Sequence, residues 1–191
     1  MITGGKVRLC PKRLDDAARD YFWQTDPGLT KLDASSPLAM KFAQYLAKYT
    51  GELGCNGQDK HQFAIDTLDG EHIGNCAYYS INNESGEAEI GVMIGNRSYW
   101  GMGYGSDAVT ALTDHIFQDT KLERIFLKTL GSNKRAQRCF ARCGFTVCGE
   151  LVKNGHSFVL MELYRYQWQQ SRGKCRQGEM DYGEEGHRKS G

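Results

Sequence analysis

The sequence predicts an α/β fold: a single domain with a mixed central sheet and helices on both of its faces. Three observations carry this expectation. Residues 61 to 81, "HQFAIDTLDGEHIGNCAYYSI", read as two strands folded back at Asp69-Gly70, because aspartate and glycine tolerate the positive φ angles of a tight hairpin. Residues 87 to 130 then run strand, helix, strand, the order of a crossover between parallel strands. A last strand pair flanks Asn154-Gly155, a second hairpin signal.

Taken in order, Val7 to Leu9 forms the first strand. Asp15 or Asp16 caps a helix that puts Ala17, Ala18, Tyr21 and Phe22 on one face and stops at "TDPG", residues 25 to 28. Ser36-Pro37 starts a second helix, since proline lacks only a donor that the first turn leaves unpaired. Leu38, Phe42, Tyr45 and Tyr49 follow at helical spacing. After the hairpin, Ala88, Ile90, Val92 and Ile94 alternate with Glu87, Glu89, Gly91 and Met93, the period of a strand with unlike faces. Ser106 caps the next helix, whose apolar face is Val109, Leu112 and Ile116, and "ERIFLKTL" at 123 to 130 is the next strand. A helix from Asn133 to Cys143 ends at Gly144, in the position of a left-handed cap. Residues 1 to 168 make the domain, and the glycine-rich, mixed-charge segment 169 to 191 is expected to be a flexible polar tail, with little apolar surface to offset its ordering entropy.

Composition excludes several function classes. The formal net charge is +1, without the concentrated basic surface of a nucleic-acid binder. No apolar run is long enough to cross a bilayer and no basic-then-apolar leader opens the chain, so a soluble cytoplasmic protein without a membrane partner is expected. Seven cysteines form no CxxC pair and no Cys/His cluster of zinc spacing, which points to reduced thiols and no metal site.

Residues 100 to 106, "WGMGYGS", lie between a strand and a helix start. The first amides of a helix have no partner within it, and the helix dipole adds positive potential there. Gly101, Gly103 and Gly105 would let a phosphate reach those amides with no Cβ in the way. A tight turn that binds nothing accounts for the same glycines. A P-loop is excluded because no Gly-Lys-Ser/Thr follows, and a Rossmann fingerprint would need glycine where Ser106 stands. Gly91 adds weight to a ligand, since a glycine inside a strand marks a bulge or a close approach. If that strand splays from its neighbour, its free backbone groups suit an extended ligand with amides at one end and a diphosphate at the other, as in coenzyme A.

On these residues the chain resembles the GNAT N-acetyltransferase superfamily, and within it the group that includes the ribosomal-protein N-terminal acetyltransferases. The family's phosphate loop, Gln/Arg-x-x-Gly-x-Gly/Ala, aligns with Trp100 to Gly105. Its second motif, Asn-x-x-Ala/Ser followed by a helix and Gly-Phe, aligns with "NKRAQRCFARCGF", residues 133 to 145. The resemblance covers roughly residues 6 to 166.

The resemblance implies a single GNAT-like domain with a splayed strand pair, and acetyl-coenzyme A as co-substrate without a metal. It implies that the segment Trp100, Gly101, Met102, Gly103, Tyr104, Gly105 and Ser106 holds the diphosphate. Val92, Met93 and Ile94 would pair with the pantetheine arm, and Asn133 would lie beside the coenzyme in the gap. An amide of the Val92 to Ile94 segment would polarise the thioester carbonyl as an amine attacks. Trp100 and Met102 depart from positions where relatives carry charge, leaving Arg97 as either a replacement or a solvated loop residue. Phe140 stands where many relatives have a tyrosine that reprotonates the thiolate, and Ala136 where some have serine; neither can donate a proton.

Glu89, with Glu87 as its alternative, is the candidate base for the attacking amine, and a salt-bridged strand glutamate is the competing reading. The acceptor side is expected from Trp23 to Tyr49 and from Lys153 to Phe158, where Trp23, Phe42, Tyr45 and Tyr49 either line a pocket or form core. His61 and His72 are expected at the surface. The expected activity is transfer of an acetyl group to a primary amine, of a protein N-terminus or a small molecule, in a ternary complex. Homodimers are frequent in the family. The alternative, motivated by Phe140 and Ala136, is a non-catalytic acyl-coenzyme A-binding regulatory module.

Overall fold

Among the described residues eight strands form one sheet, in the order β1-β2-β3-β4-β5-β6-β8-β7, with an alternating burial pattern clearest in β2 and β8. The computed structural model describes residues 1 to 53 and 60 to 172. The strands are β1 (Ile2–Thr3), β2 (Val7–Pro11), β3 (Lys60–Thr67), β4 (His72–Asn82), β5 (Glu87–Ile94), β6 (Arg124–Leu130), β7 (Thr146–Lys153) and β8 (His156–Tyr164). The helices are α1 (Ala17–Thr25), α2 (Pro27–Leu32), α3 (Phe42–Glu52), α4 (Tyr104–Asp119) and α5 (Lys134–Arg142), followed by a helical turn over residues 165 to 172. Among the described strands only β5 and β6 run parallel, as strand, helix, strand requires. Both expected hairpins form, with Gly70 at φ 89° and Asn154-Gly155 at φ 51° and 76°.

One face of the sheet buries Leu9, Ile65, Ile90, Ile125, Leu127 and Met161 against Val109, Leu112 and Ile116 of α4 and Phe140 of α5. The other face is roofed by α1 to α3, whose small apolar cluster centres on Ala17, Tyr45 and Tyr49. Among the described residues no helix is long and apolar enough to cross a membrane, and the five described cysteines are free thiols.

The N-terminal helices differ from expectation. "TDPG" both stops α1 and starts α2, because Asp26 accepts hydrogen bonds from the amides of Gly28 (2.7 Å) and Leu29 (2.9 Å) while Pro27 occupies the first helical position. The next helix begins at Phe42, beyond Ser36-Pro37. The buried side of α1 is Ala17, Asp20 and Trp23, with Asp16 buried just before it, whereas Phe22 is 64% exposed. Ser106 lies inside α4, which Gly103 precedes in the left-handed conformation at φ 88°. The helix over residues 165 to 172 carries the ordered chain past 168, with Trp168 packed on Phe117 at 5.4 Å and bonded to Asp114 at 2.7 Å. The rest of the expected tail lies outside the described residues.

Electrostatics explain the polar buried face of α1. Asp20 accepts from Lys12, from Asn75 (2.7 Å) and from the Tyr49 hydroxyl (3.1 Å), and faces His72 Nε2 at 3.0 Å. Arg13 joins Asp16 (2.8 Å) to Asp66 (2.7 Å). His72 is therefore core, 5% exposed between Asp20 and Asp66, and not a surface residue: its strand position faces α1. Asp16, Asp66 and His72 have spacing a metal could use, but Arg13 already supplies the positive charge to both carboxylates.

Burial pushes the Asp20 carboxyl up, and the bonds from His72, Lys12 and Asn75 more than offset it, so the group titrates below its ordinary value. The stability it contributes is therefore complete above about pH 4 and lost as pH falls through the lower folded value. Asp20→Asn should flatten the acid limb of urea stability plotted against pH. A Cβ at Gly95 would sit 2.1 Å from the buried Trp23 ring, so Gly95→Ala should destabilise the fold by about 1–3 kcal/mol in chemical denaturation.

Candidate active site

The site begins where two strands part. β5 and β6 pair only at Glu87 with Arg124, Ala88 with Ile125 and Glu89 with Phe126. Beyond that, β5 follows β4 as far as Ile94 while β6 follows β8 as far as Leu130. This is the expected splayed pair. A cavity of about 460 Å³ lies on one face, between α1–α3 and the sheet residues Asn75, Ala77, Tyr79, Gly91 and Met93. A second, of about 300 Å³, lies on the opposite face between the glycine loop and α5. Val92, Ile94, Trp100, Arg135 and Ala136 line both, so the cavities meet in the gap.

Gly101 (φ 77°) and Gly103 (φ 88°) turn the chain into α4, whose first amides, at Tyr104 to Ser106, have no partner within the helix. Gly101, Gly103, Gly105 and Ser106 line the smaller cavity. Met102 is 55% exposed and does not. The charge absent at Met102 comes from elsewhere: Arg135, Arg138 and Arg142 of α5 line the same cavity, at the spacing of one helix face. The Arg135 guanidinium lies 3.3 Å over the Trp100 ring. Lys6 bonds the Met102 carbonyl at 3.1 Å and reaches the face of Tyr104, positioned because Asp107 takes the amides of Gly5, Lys6 and Val7 at 2.7–3.0 Å. The arginines were legible as a spacing that the sequence reading passed over; Lys6 had no local signal. Arg97 is exposed beside the loop, its guanidinium 5.7 Å from the Trp100 ring centre, but it is held bidentately by Asp26 at 2.8 Å and does not line the smaller cavity.

In the gap itself, the Trp100 indole donates to the Ile94 carbonyl at 2.7 Å, which removes that acceptor from any bound chain. Asn133 lines the larger cavity, and its side chain caps α5 by accepting from the Ala136 amide at 3.1 Å. Phe140 is buried edge-on to Phe145 (5.9 Å) in the smaller cavity's wall. Beside it, Cys139 Sγ lies 3.3 Å from the Ser106 hydroxyl.

Comparison with known proteins agrees with this geometry. The family model described as the acetyltransferase (GNAT) domain matches residues 6–146. The chain belongs to the GNAT acetyltransferase family. An uncharacterized N-acetyltransferase, p20, of Bacillus licheniformis is 32% identical over 129 residues, covering 67% of this chain and 72% of that protein. The spermidine N(1)-acetyltransferase of Escherichia coli K12 is 29% identical over 108 residues, 56% of this chain and 55% of that enzyme. In fold, the chain is similar to the spermidine N-acetyltransferase of Vibrio cholerae solved with CoA and spermine, with TM-score 0.76, 18% identity and coverage of 85% and 97%. Two of these three relatives are named for spermidine and the third is uncharacterized; none is named as a ribosomal-protein acetyltransferase.

The larger cavity lies on the face opposite the glycine loop. It mixes Tyr45 and Tyr49 with Asp20, Asp33, Glu52, Lys12, Lys48 and Lys60. Trp23 is core instead, stacked near His72 at 5.0 Å, and Phe42 is 40% exposed. Neither Trp23, Phe42 nor the hairpin residues 153 to 158 line either of the two cavities, because α1 turns its indole under Gly95 and β7–β8 lies beyond β6. Glu89 is 8% exposed, paired with Lys128 at 3.0 Å and accepting from the Tyr79 hydroxyl at 3.2 Å. It reaches neither cavity directly, while Tyr79 lines the larger one. Glu87 pairs with Arg124 at 2.6 Å.

The bond from Cys143, with that from Ser106 and the nearby arginines, holds the Cys139 thiol below the ordinary thiol range against the effect of burial, whereas burial pushes Cys76 up. Iodoacetamide should therefore label Cys139 with a pH midpoint below that of an ordinary thiol, while Cys76 stays unlabelled, as read by peptide mass mapping.

Proposed function

We propose that the protein transfers an acetyl group from acetyl-coenzyme A to a primary amine of a small polycationic acceptor, by direct attack in a ternary complex. The observation that carries this reading is the meeting of two cavities, on opposite faces of the sheet, in the gap between β5 and β6. The smaller suits a coenzyme: open amides at Tyr104 to Ser106 and the cations of Lys6, Arg135, Arg138 and Arg142 fit phosphate groups. Bound there, the coenzyme supplies an activated acetyl thioester.

The chain's own groups do the rest. The β5 segment Val92 to Ile94 leaves backbone groups facing the gap, of which the Ile94 carbonyl is taken by Trp100. Those remaining hold the pantetheine arm, and one amide polarises the thioester carbonyl. Glu89 removes the proton that would keep the acceptor amine charged. Ala136 and Phe140 offer no acid, so the leaving thiolate takes the proton left on the attacking nitrogen. Of the carboxylates lining the larger cavity, Asp20 is paired with Lys12 and Glu52 with Lys48, so the support for a cationic acceptor is the likeness to relatives named for spermidine. A protein N-terminus is the competing acceptor.

Thiol release from acetyl-coenzyme A measured with spermidine, spermine, kanamycin and short peptides should show turnover with a polyamine or aminoglycoside and little with peptides. Glu89→Gln should lower kcat by about 10²–10⁴-fold. A non-catalytic coenzyme-binding module, the reading that the Glu89–Lys128 ion pair favours, predicts no effect of that change. In either case coenzyme A at 100 times its Kd should stabilise the wild type by about 2.7 kcal/mol, and Gly103→Glu, strained at φ 88° and negatively charged, should abolish that shift.

A further inference from the structure

Glu89 is buried away from both cavities, so a proton leaving the acceptor needs a path to it. Tyr79 offers one. It sits directly opposite Glu89 on β4, lines the acceptor cavity, and donates its hydroxyl hydrogen to Glu89 Oε1 at 3.2 Å. Lys128, across the gap on β6, holds the other carboxylate oxygen at 3.0 Å. The hydroxyl also lies 3.7 Å from the position a Cβ would occupy on Gly91, the residue just before the segment assigned to the thioester.

The backbone sets this orientation. Immediately after Tyr79, β4 bulges: register jumps between Tyr79 and Asn82, and Ser80 adopts φ 52°, left-handed for a non-glycine residue. Bulges beside active sites re-aim side chains, and such strain persists only where the surroundings enforce it.

We propose that Tyr79 is a catalytic proton relay, accepting a proton from the acceptor's ammonium on its oxygen while passing its own to Glu89. This inference rests on the transferase reading. The freed amine nitrogen then bonds to the thioester carbonyl carbon as the carbon–sulfur bond breaks, and the second nitrogen proton goes to the departing thiolate. The products are the amide, the free thiol and one proton on Glu89, which returns to solvent. Burial and the neighbouring Glu89 carboxylate push the Tyr79 hydroxyl's own ionisation well above its usual range, so it stays protonated and relays without accumulating as tyrosinate. The other charges at this end of the cavity are Lys60, opposite Tyr79 on β3, and Asp33 after α2.

The test measures kcat against pH for wild type, Tyr79→Phe, Glu89→Gln and the double variant, with acetyl-coenzyme A and spermidine or kanamycin. At pH 7, Tyr79→Phe should lose about 100-fold in kcat with the KM for acetyl-coenzyme A within about twofold of wild type. The deficit should shrink below about tenfold near pH 9.5, where more of the acceptor arrives neutral. The double variant should be no slower than Glu89→Gln alone, because groups acting as one unit are non-additive. Tyr79→His, which keeps a donor and an acceptor, should recover part of the rate, and coenzyme-induced thermal stabilisation should be unchanged in each. A Tyr79→Phe rate within twofold of wild type, a deficit constant with pH, or losses that multiply in the double variant would overturn the relay alone. Absence of turnover by the wild type with any amine would instead overturn the transferase reading and the relay with it.

Discussion

The molecule is organised around a failure of pairing. After Glu89, β5 and β6 separate inside a sheet that is otherwise continuous from β1 to β7. Backbone donors and acceptors exposed in this way are costly unless something satisfies them. β5 cannot close the gap because its far side is committed to β4, and the amides of Gly95 and Asn96 both converge on the Ile73 carbonyl. β6 is held as firmly by β8. The gap lies where two long antiparallel ladders flank a short parallel one, and it connects the cavities on the two faces of the sheet.

The two faces are stabilised by different physics. On the donor side, apolar burial between the sheet and α4 fixes the helix start, and Asp107 ties the Gly5 to Val7 turn to it. On the acceptor side the anchors are charged. Asp20 gathers Lys12, Asn75, Tyr49 and His72 into one network that fastens α1 and α3 to β2 and β4. Removing one member of such a network leaves a buried charge without compensation, which typically costs about 3–5 kcal/mol. The acceptor wall is therefore held rigid by groups that also set its electrostatic character.

Much of the fold was legible. The hairpins at Gly70 and Asn154-Gly155, the crossover through α4 and the Gly144 cap follow from turn chemistry and periodicity, which are local properties of the chain. In the N-terminal helices an apolar-face rule finds Ala17 but cannot anticipate that Asp20 and Trp23 share its buried side, with Asp16 just before it. His72 was misplaced for the same reason: its partners lie on α1 and β3. In the candidate site, the glycine loop and α5 announce themselves by motif. Tyr79, Lys128 and Lys6 do not, since each acts across strands or loops distant in sequence.

By itself, then, the sequence determined the order of elements from the first hairpin to β8, the hairpin and cap glycines in the left-handed conformation, and the glycine loop before α4, because each depends on the backbone preferences of a few consecutive residues. Only the tertiary structure decided where β5 and β6 part, which cations face the loop, and that Glu89 meets Lys128 and reaches the acceptor cavity through Tyr79. Those outcomes depend on register and on which side chains face each other across separate elements, and in a sheet a shift of one residue would turn strand side chains such as Tyr79 and Glu89 to the opposite face.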